Sequence, residues 1–149
     1  PHSNGYSLIR SIIKKHKVPE SIMQALLKPT HLYPVPILEL IKKVNVKGMA
    51  HITGGGLTEN IPRILECGLV ADVNLLSWQF PKAFKWLQEK GKISHADMLR
   101  IFNCGIGMVC IINKADLSKA QRILSRHKLC AFEIGSIIKG NLKEQIQYH

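Results

Sequence analysis

Apolar positions along this chain recur at two different periods, and the places where the period changes mark its elements. In residues 7–17, Leu8, Ile9, Ile12 and Ile13 fall on one helical face, with Arg10, Lys14, Lys15 and Lys17 at or near the other. That pattern predicts an amphipathic helix. A second apolar helical stretch is predicted over 20–27, stopped by Lys28-Pro29 because the residue before a proline disfavours the α region. Pro36 suits the first turn of a helix reaching about Val44. Residues 47–53 read as a short strand running into Gly54-Gly55-Gly56. Asn60 is placed to cap a following helix, with Pro62 in its first turn. Residues 72–75 predict another strand. An amphipathic helix over 81–90 carries Phe84 and Leu87 on one side and ends at Gly91. Ser94 with Asp97 forms a capping pair for a helix through Phe102. The nearly continuous apolar run 106–113 predicts a strand covered on both faces. Asp116 or Ser118 opens a helix to His127, and 129–138 supplies a last strand. Strands and helices interleave without a strict βαβ rhythm, which predicts an α+β fold of mixed α/β layers, with helices packed on a mixed sheet.

Composition narrows the class. A chain of 149 residues, 46% hydrophobic and 21% charged, suits one soluble domain with a real core. No apolar run approaches the roughly 20 residues of a membrane helix, and no basic-then-apolar leader is visible. Pro1 is not an initiator methionine and His2-Ser3-Asn4-Gly5 reads as the middle of a motif, so a piece of a longer chain is expected. Cys67, Cys104, Cys110 and Cys130 form no C-x-x-C pair and no zinc spacing; free thiols in a cytosolic protein are the expectation. The formal charge of +11 favours anions. Nucleotides, sugar phosphates, nucleic acid and acidic membranes all qualify, as does a merely solvated basic face.

Three segments are candidates for chemistry. His51-Ile52-Thr53-Gly54-Gly55-Gly56-Leu57-Thr58-Glu59-Asn60 leads a strand through three glycines into a helix start. Such a backbone can turn successive N–H groups on a phosphate, with Thr53 and Thr58 adding hydroxyls. It lacks the closing Gly-Lys-Ser/Thr of a Walker loop, and a tight turn that needs glycine is the plain alternative. Phe102-Asn103-Cys104-Gly105-Ile106-Gly107-Met108 contains G-x-G without the third glycine of a dinucleotide site; a helix cap at Gly105 and close packing at Gly107 explain it. In His2-Ser3-Asn4-Gly5-Tyr6, Ser3 or Asn4 can cap the first helix, while His2 can instead donate to an anion. His16, His31, His95, His127 and His149 read as surface residues. Trp78, Phe80, Phe84 and Trp86 read as core, and no alternation of aromatic and basic residues suggests a nucleic-acid platform.

Taken in order, these segments resemble the phosphoribosylformylglycinamidine cyclo-ligase (aminoimidazole ribonucleotide synthetase) family. The resemblance rests on the stretch from Pro1 to Arg10, on Leu26-Leu27-Lys28-Pro29-Thr30 with Tyr33 and Pro36, and on the stretch from Gly48 to Arg63. Trp78, Pro81, Phe84 and Trp86-Leu87-Gln88, then the stretch from Phe102 to Met108, complete it. It implies a single C-terminal domain over 1–149, similar to that of the synthetase superfamily, from a two-domain cytoplasmic homodimer. The N-terminal half would supply most of the ATP and Mg2+ site and the dimer contact. The implied reaction is ATP-dependent closure of formylglycinamidine ribonucleotide to aminoimidazole ribonucleotide, ADP and phosphate in purine biosynthesis, with this piece inactive alone. His2 is implied as the catalytic residue. Ser3, Asn4, His51, Thr53, Gly54, Gly55, Gly56, Asn103 and Gly105 are implied to bind substrate or phosphate, and no metal ligand is assigned. Gly135-Ser136-Ile137 stands where the family often has Gly-Glu-Val, which removes an acidic contact. The competing readings are a basic nucleic-acid-binding module and a sister ATP-dependent enzyme of the superfamily.

Overall fold

A computed structural model describes residues 1–140, 143 and 145–149. Seven helices and five strands follow one another along these residues. They are α1 (Tyr6–Ile13), α2 (Glu20–Leu27), α3 (Pro34–Lys43), β1 (Val46–His51), α4 (Gly56–Asn60), β2 (Leu69–Val73) and α5 (Lys82–Gly91). Then come α6 (His95–Ile101), β3 (Met108–Ile112), α7 (Leu117–Arg126), β4 (Gly135–Lys139) and β5 (Ile146–Tyr148). The strands form two sheets. β1 and β3 pair antiparallel, with a register shift between Val46 and Gly48. β2 lies between β4, antiparallel to it, and β5, parallel to it. The fold is α+β, as the pattern predicts.

Two cores hold these layers. In the larger, the buried faces of α1 (Ile9, Ile12), α2 (Ile22, Leu26), α5 (Phe84, Leu87) and α6 (Met98, Leu99) meet Ala71, Val73 and Ile146 of the three-stranded sheet. In the smaller, Leu40 and Val44 meet Ala120 and Ile123 of α7, with Val46, Cys110 and Ile112 packed against them. Burying each such aliphatic side chain contributes roughly 1.5–3 kcal/mol before ordering costs.

Several expectations shift. Asn60 does not cap a helix; it ends α4, and Pro62 opens a 3-10 turn, Pro62–Ile64. The Asn60 amide is instead bound to carbonyls of the glycine turn. No side chain caps α1, whose N-cap is Gly5 at φ 78, because a β-carbon at that position would run into the Phe102 ring. α5 does end at Gly91, as its pattern predicts, but the left-handed residue after it is Lys92 at φ 49 and not a glycine. A β-carbon at Gly91 would lie 2.7 Å from Ile12 Cδ1, the tip of a side chain that can turn aside. β2 begins earlier than its pattern suggests. The segment 129–138 becomes strand only from Gly135. β3 is half-buried throughout rather than covered on both faces, since its sheet is two strands wide and borders an open cleft. Ser94 caps α6 as expected, its hydroxyl oxygen accepting from the Asp97 N–H at 3.1 Å.

Candidate functional site

The residues before α1 run back across the end of β1, and this brings His2 to the start of the glycine turn. His2 is 7% exposed. Its Nδ1 lies 2.7 Å from the Ile52 carbonyl oxygen and its Nε2 3.0 Å from the Tyr33 hydroxyl. A carbonyl only accepts, so Nδ1 carries the proton; in the neutral ring Nε2 then accepts from Tyr33. The ring centroid of His2 lies 4.8 Å from that of His51, and Tyr33 meets both rings edge-on at 5.6–5.7 Å. His31 reaches the other side of Tyr33 at 6.3 Å. Burial pushes the His2 imidazole below its ordinary value and His51 and His31 add to this, while the bond to Ile52 opposes it. Burial also raises the Tyr33 phenol, so it remains a donor at neutral pH.

Tyr33, His31, His51 and Met108 line an opening of about 390 Å³. A larger apolar cleft of about 930 Å³ runs along β3 to the segment 128–137 and reaches His31 and Tyr33 at one end. Neither space is lined by His2 or the glycine turn; His51 borders the smaller one and Gly105 the larger.

The turn from Thr53 to Gly56 is built from within. The Gly56 N–H donates to the Thr53 carbonyl at 3.0 Å. Buried Asn60 uses its amide nitrogen to draw in the carbonyls of Gly54 (3.0 Å) and Gly56 (2.8 Å), and its Oδ1 accepts from Arg63 at 3.2 Å. With carbonyls turned inward, the exposed Gly54 has open space where a side chain would stand. Gly55 takes φ 92 and Gly56 φ 57, conformations that favour glycine. Thr58 links the helix after the turn to β5, its hydroxyl 2.9 Å from that of Tyr148.

The second predicted wall lies beside the first. Asn4 Nδ2 donates to the Ile101 carbonyl at 2.5 Å, tying the residues around His2 to the end of α6. Asn4 Oδ1 is buried without a hydrogen-bond partner, which costs about 1–3 kcal/mol unless a donor reaches it. Asn103 is buried and closes its own turn, Oδ1 accepting from the Gly105 N–H at 3.2 Å. Trp78 Nε1 donates to the Cys104 carbonyl at 3.1 Å. Ser3 and Gly105 are exposed. Thus His2 and His51 share one cluster beside the glycine turn, and Asn4 joins it to the Asn103 segment.

Sequence reasoning missed Tyr33 as a partner of His2 and gave Asn60 the wrong task; His31 is exposed, as read, and lies at the mouth of the smaller opening. His127 also departs from a surface role, since its Nε2 lies 2.7 Å from Glu39 Oε2. Tyr33 stands within the motif of residues 26–36 that carries the resemblance, which singles it out without pointing to His2. Cys104 and Cys110 are free thiols pushed up by burial to about 12 and about 11, and so are inert; Cys67 and Cys130 are free and exposed.

A family model described as "AIR synthase related protein, C-terminal domain" matches residues 1–147. The chain is similar to the phosphoribosylformylglycinamidine cyclo-ligase of Lawsonia intracellularis (strain PHE/MN1-00). Identity is 46% over 153 residues, covering 97% of this chain and 44% of that protein. It is 47% identical over 143 residues to the protein of the same name from Methylobacillus flagellatus, covering 91% of this chain and 41% of the relative. The one from Paraburkholderia phymatum is 46% identical, with 91% and 40% covered. The chain spans less than half the length of these curated relatives.

Proposed function

Because this chain belongs to the family described as AIR synthase related protein, C-terminal domain, we propose that residues 1–149 form the C-terminal domain of a two-domain phosphoribosylformylglycinamidine cyclo-ligase. The complete enzyme closes the imidazole ring of formylglycinamidine ribonucleotide, consuming ATP and releasing ADP and phosphate. It works as a cytoplasmic homodimer. ATP activates the formyl amide oxygen as a phosphate ester; the amidine-side nitrogen attacks that carbon, and phosphate leaves. Phosphoryl transfer of this kind asks the protein mainly for positioning and electrostatic support.

The observation that carries this reading is the junction of buried His2 with His51 and the glycine turn, beside an opening. The Gly54 and Gly55 amides hold a phosphate oxygen; the Gly56 N–H is engaged within the turn, so that residue serves by allowing the turn to form. His2 supports developing negative charge. Ser3, Asn4, Thr53, Asn103 and Gly105 complete the walls. Among the described residues no group of three His, Cys, Asp or Glu side chains is suited to a metal, and the donors for Mg2+ are assigned to the N-terminal half. No described helix is long and apolar enough to cross a membrane.

In the complete enzyme, His2→Ala and Gly55→Val should each lower turnover about tenfold or more in an assay of purine-ring closure. Near-normal rates for both variants would remove the site assignment.

A further inference from the structure

We propose that Tyr33 is a positioning residue for His2. Its hydroxyl holds the His2 ring in one tautomer and governs what the Nε2 atom can meet. This rests on the reading of His2 as a site residue and adds to it the group through which His2 faces the opening.

Four observations carry the proposal. Both ring nitrogens of His2 are committed, Nδ1 to the Ile52 carbonyl and Nε2 to the Tyr33 hydroxyl, so the basic atom of the buried ring points at Tyr33. Tyr33, unlike His2, lines the opening together with His31 and His51. The hydroxyl has space made for it. A β-carbon at Gly107 would collide with the Tyr33 oxygen and stand 2.7 Å from His2 Nε2. The Tyr33 backbone is fixed as the N-cap of α3, where its carbonyl accepts from the Ile37 N–H at 3.0 Å. That helix is anchored by fully buried Leu40. A donor mounted on a rigid helix start beside an acceptor inside the fold sets tautomer and ring orientation together.

The consequence is specific. While His2 is neutral, the Tyr33 proton points at Nε2. When Nε2 takes up a proton from solvent, the ring becomes a cation and that bond reverses, Nε2–H donating to the Tyr33 oxygen, and the Tyr33 hydrogen is released to turn toward an anionic oxygen in the opening. The pair gains that one proton and loses none; the hydroxyl rotates.

Long-range ¹H–¹⁵N spectra of the histidine rings in the folded chain test this directly. The native chain at neutral pH should show His2 protonated at Nδ1, with an Nε2 resonance moved upfield by an accepted hydrogen bond. In Tyr33→Phe that resonance should move downfield to the position of an unbonded ring nitrogen. In the complete enzyme Tyr33→Phe should lower kcat about tenfold with KM held within about twofold. A native His2 protonated at Nε2, or an Nε2 resonance indifferent to Tyr33→Phe, overturns the proposal. So does the expected spectral change with unaltered turnover. The native spectrum needs no variant, so a Tyr33→Phe chain that fails to fold leaves the test intact. Absence of ring-closing activity in the native complete enzyme, with the spectra as expected, would sink the functional reading and leave the tautomer assignment standing.

Discussion

A methyl group added at position 56 has nowhere to go. Its carbon would collide with the Leu99 carbonyl and lie 2.8 Å from that of Phe102, at a φ of 57. Backbone cannot retreat as a flexible side chain can, so Gly56→Ala should lower the free energy of unfolding by about 2 kcal/mol or more in a urea titration. Gly54→Ala, facing open space, should cost far less. His2 gives a second test at this scale. Its folded value is depressed chiefly by burial, so the unfolded chain binds the proton more readily. Stability is therefore full above the ordinary histidine value and falls as pH drops below it toward the folded value. Melting curves between roughly pH 7.5 and 5 should show that slope, and His2→Gln should flatten it. The sequence makes His2, His51 and the glycines legible because they stand in dense local motifs. The bond from His2 to Tyr33 spans 31 residues, and no periodicity encodes a hydrogen bond between two loops. Asn60 misleads for a related reason: an asparagine near a proline looks like a cap, whereas its amide is drawn inward by the Gly54 and Gly56 carbonyls.

Helices proved the most legible elements, since most of them carry an apolar face with a stop signal. The second helix begins and ends where its pattern places it. Strands were read less well. Gly135–Lys139 is mostly exposed and Ile146–Tyr148 is three residues long, too short for alternation to register. Pairing between elements was not legible at all, and the clamp between α3 and α7 illustrates this. Glu39 on α3 meets Lys43 on the same helix at 2.6 Å and, at 2.7 Å, His127, the residue that closes α7. Hydrogen bonds from Lys43 first and His127 second hold the Glu39 carboxyl down to about 2. A depressed carboxylate contributes stability above its ordinary value and loses it as pH falls toward the folded one. The gap in melting temperature between the native chain and Glu39→Gln should therefore be largest above roughly pH 5 and close toward pH 2. A gap independent of pH would mean the clamp does not depend on the charged carboxylate.

For the molecule as a whole, the charge of +11 is uneven in its consequences. Among the described residues Glu39, Glu59 and Glu89 pair with Lys43, Arg63 and Lys90, and with 21 basic side chains against 10 acidic ones the basic charge exceeds what the acidic residues can balance. Under the proposed function that excess concentrates anionic substrates and does not grip a polymer. Duplex DNA should therefore elute from the immobilised chain below physiological ionic strength; retention above it, with a steep salt dependence, would favour a nucleic-acid-binding module instead. Fold class was legible at this scale, while the division into two sheets was not, because β2 draws both partners from the far end of the described chain. That arrangement has an outcome during synthesis. As the polypeptide leaves the ribosome, β2 emerges with both edges bare, and neither neighbour exists until translation has passed residues 135–148. Through that interval a half-made copy offers its backbone to any passing strand, including one from an adjacent nascent chain on the same message. Slow codons upstream of β4 would lengthen the exposure, and a chaperone that shields strand edges would shorten it.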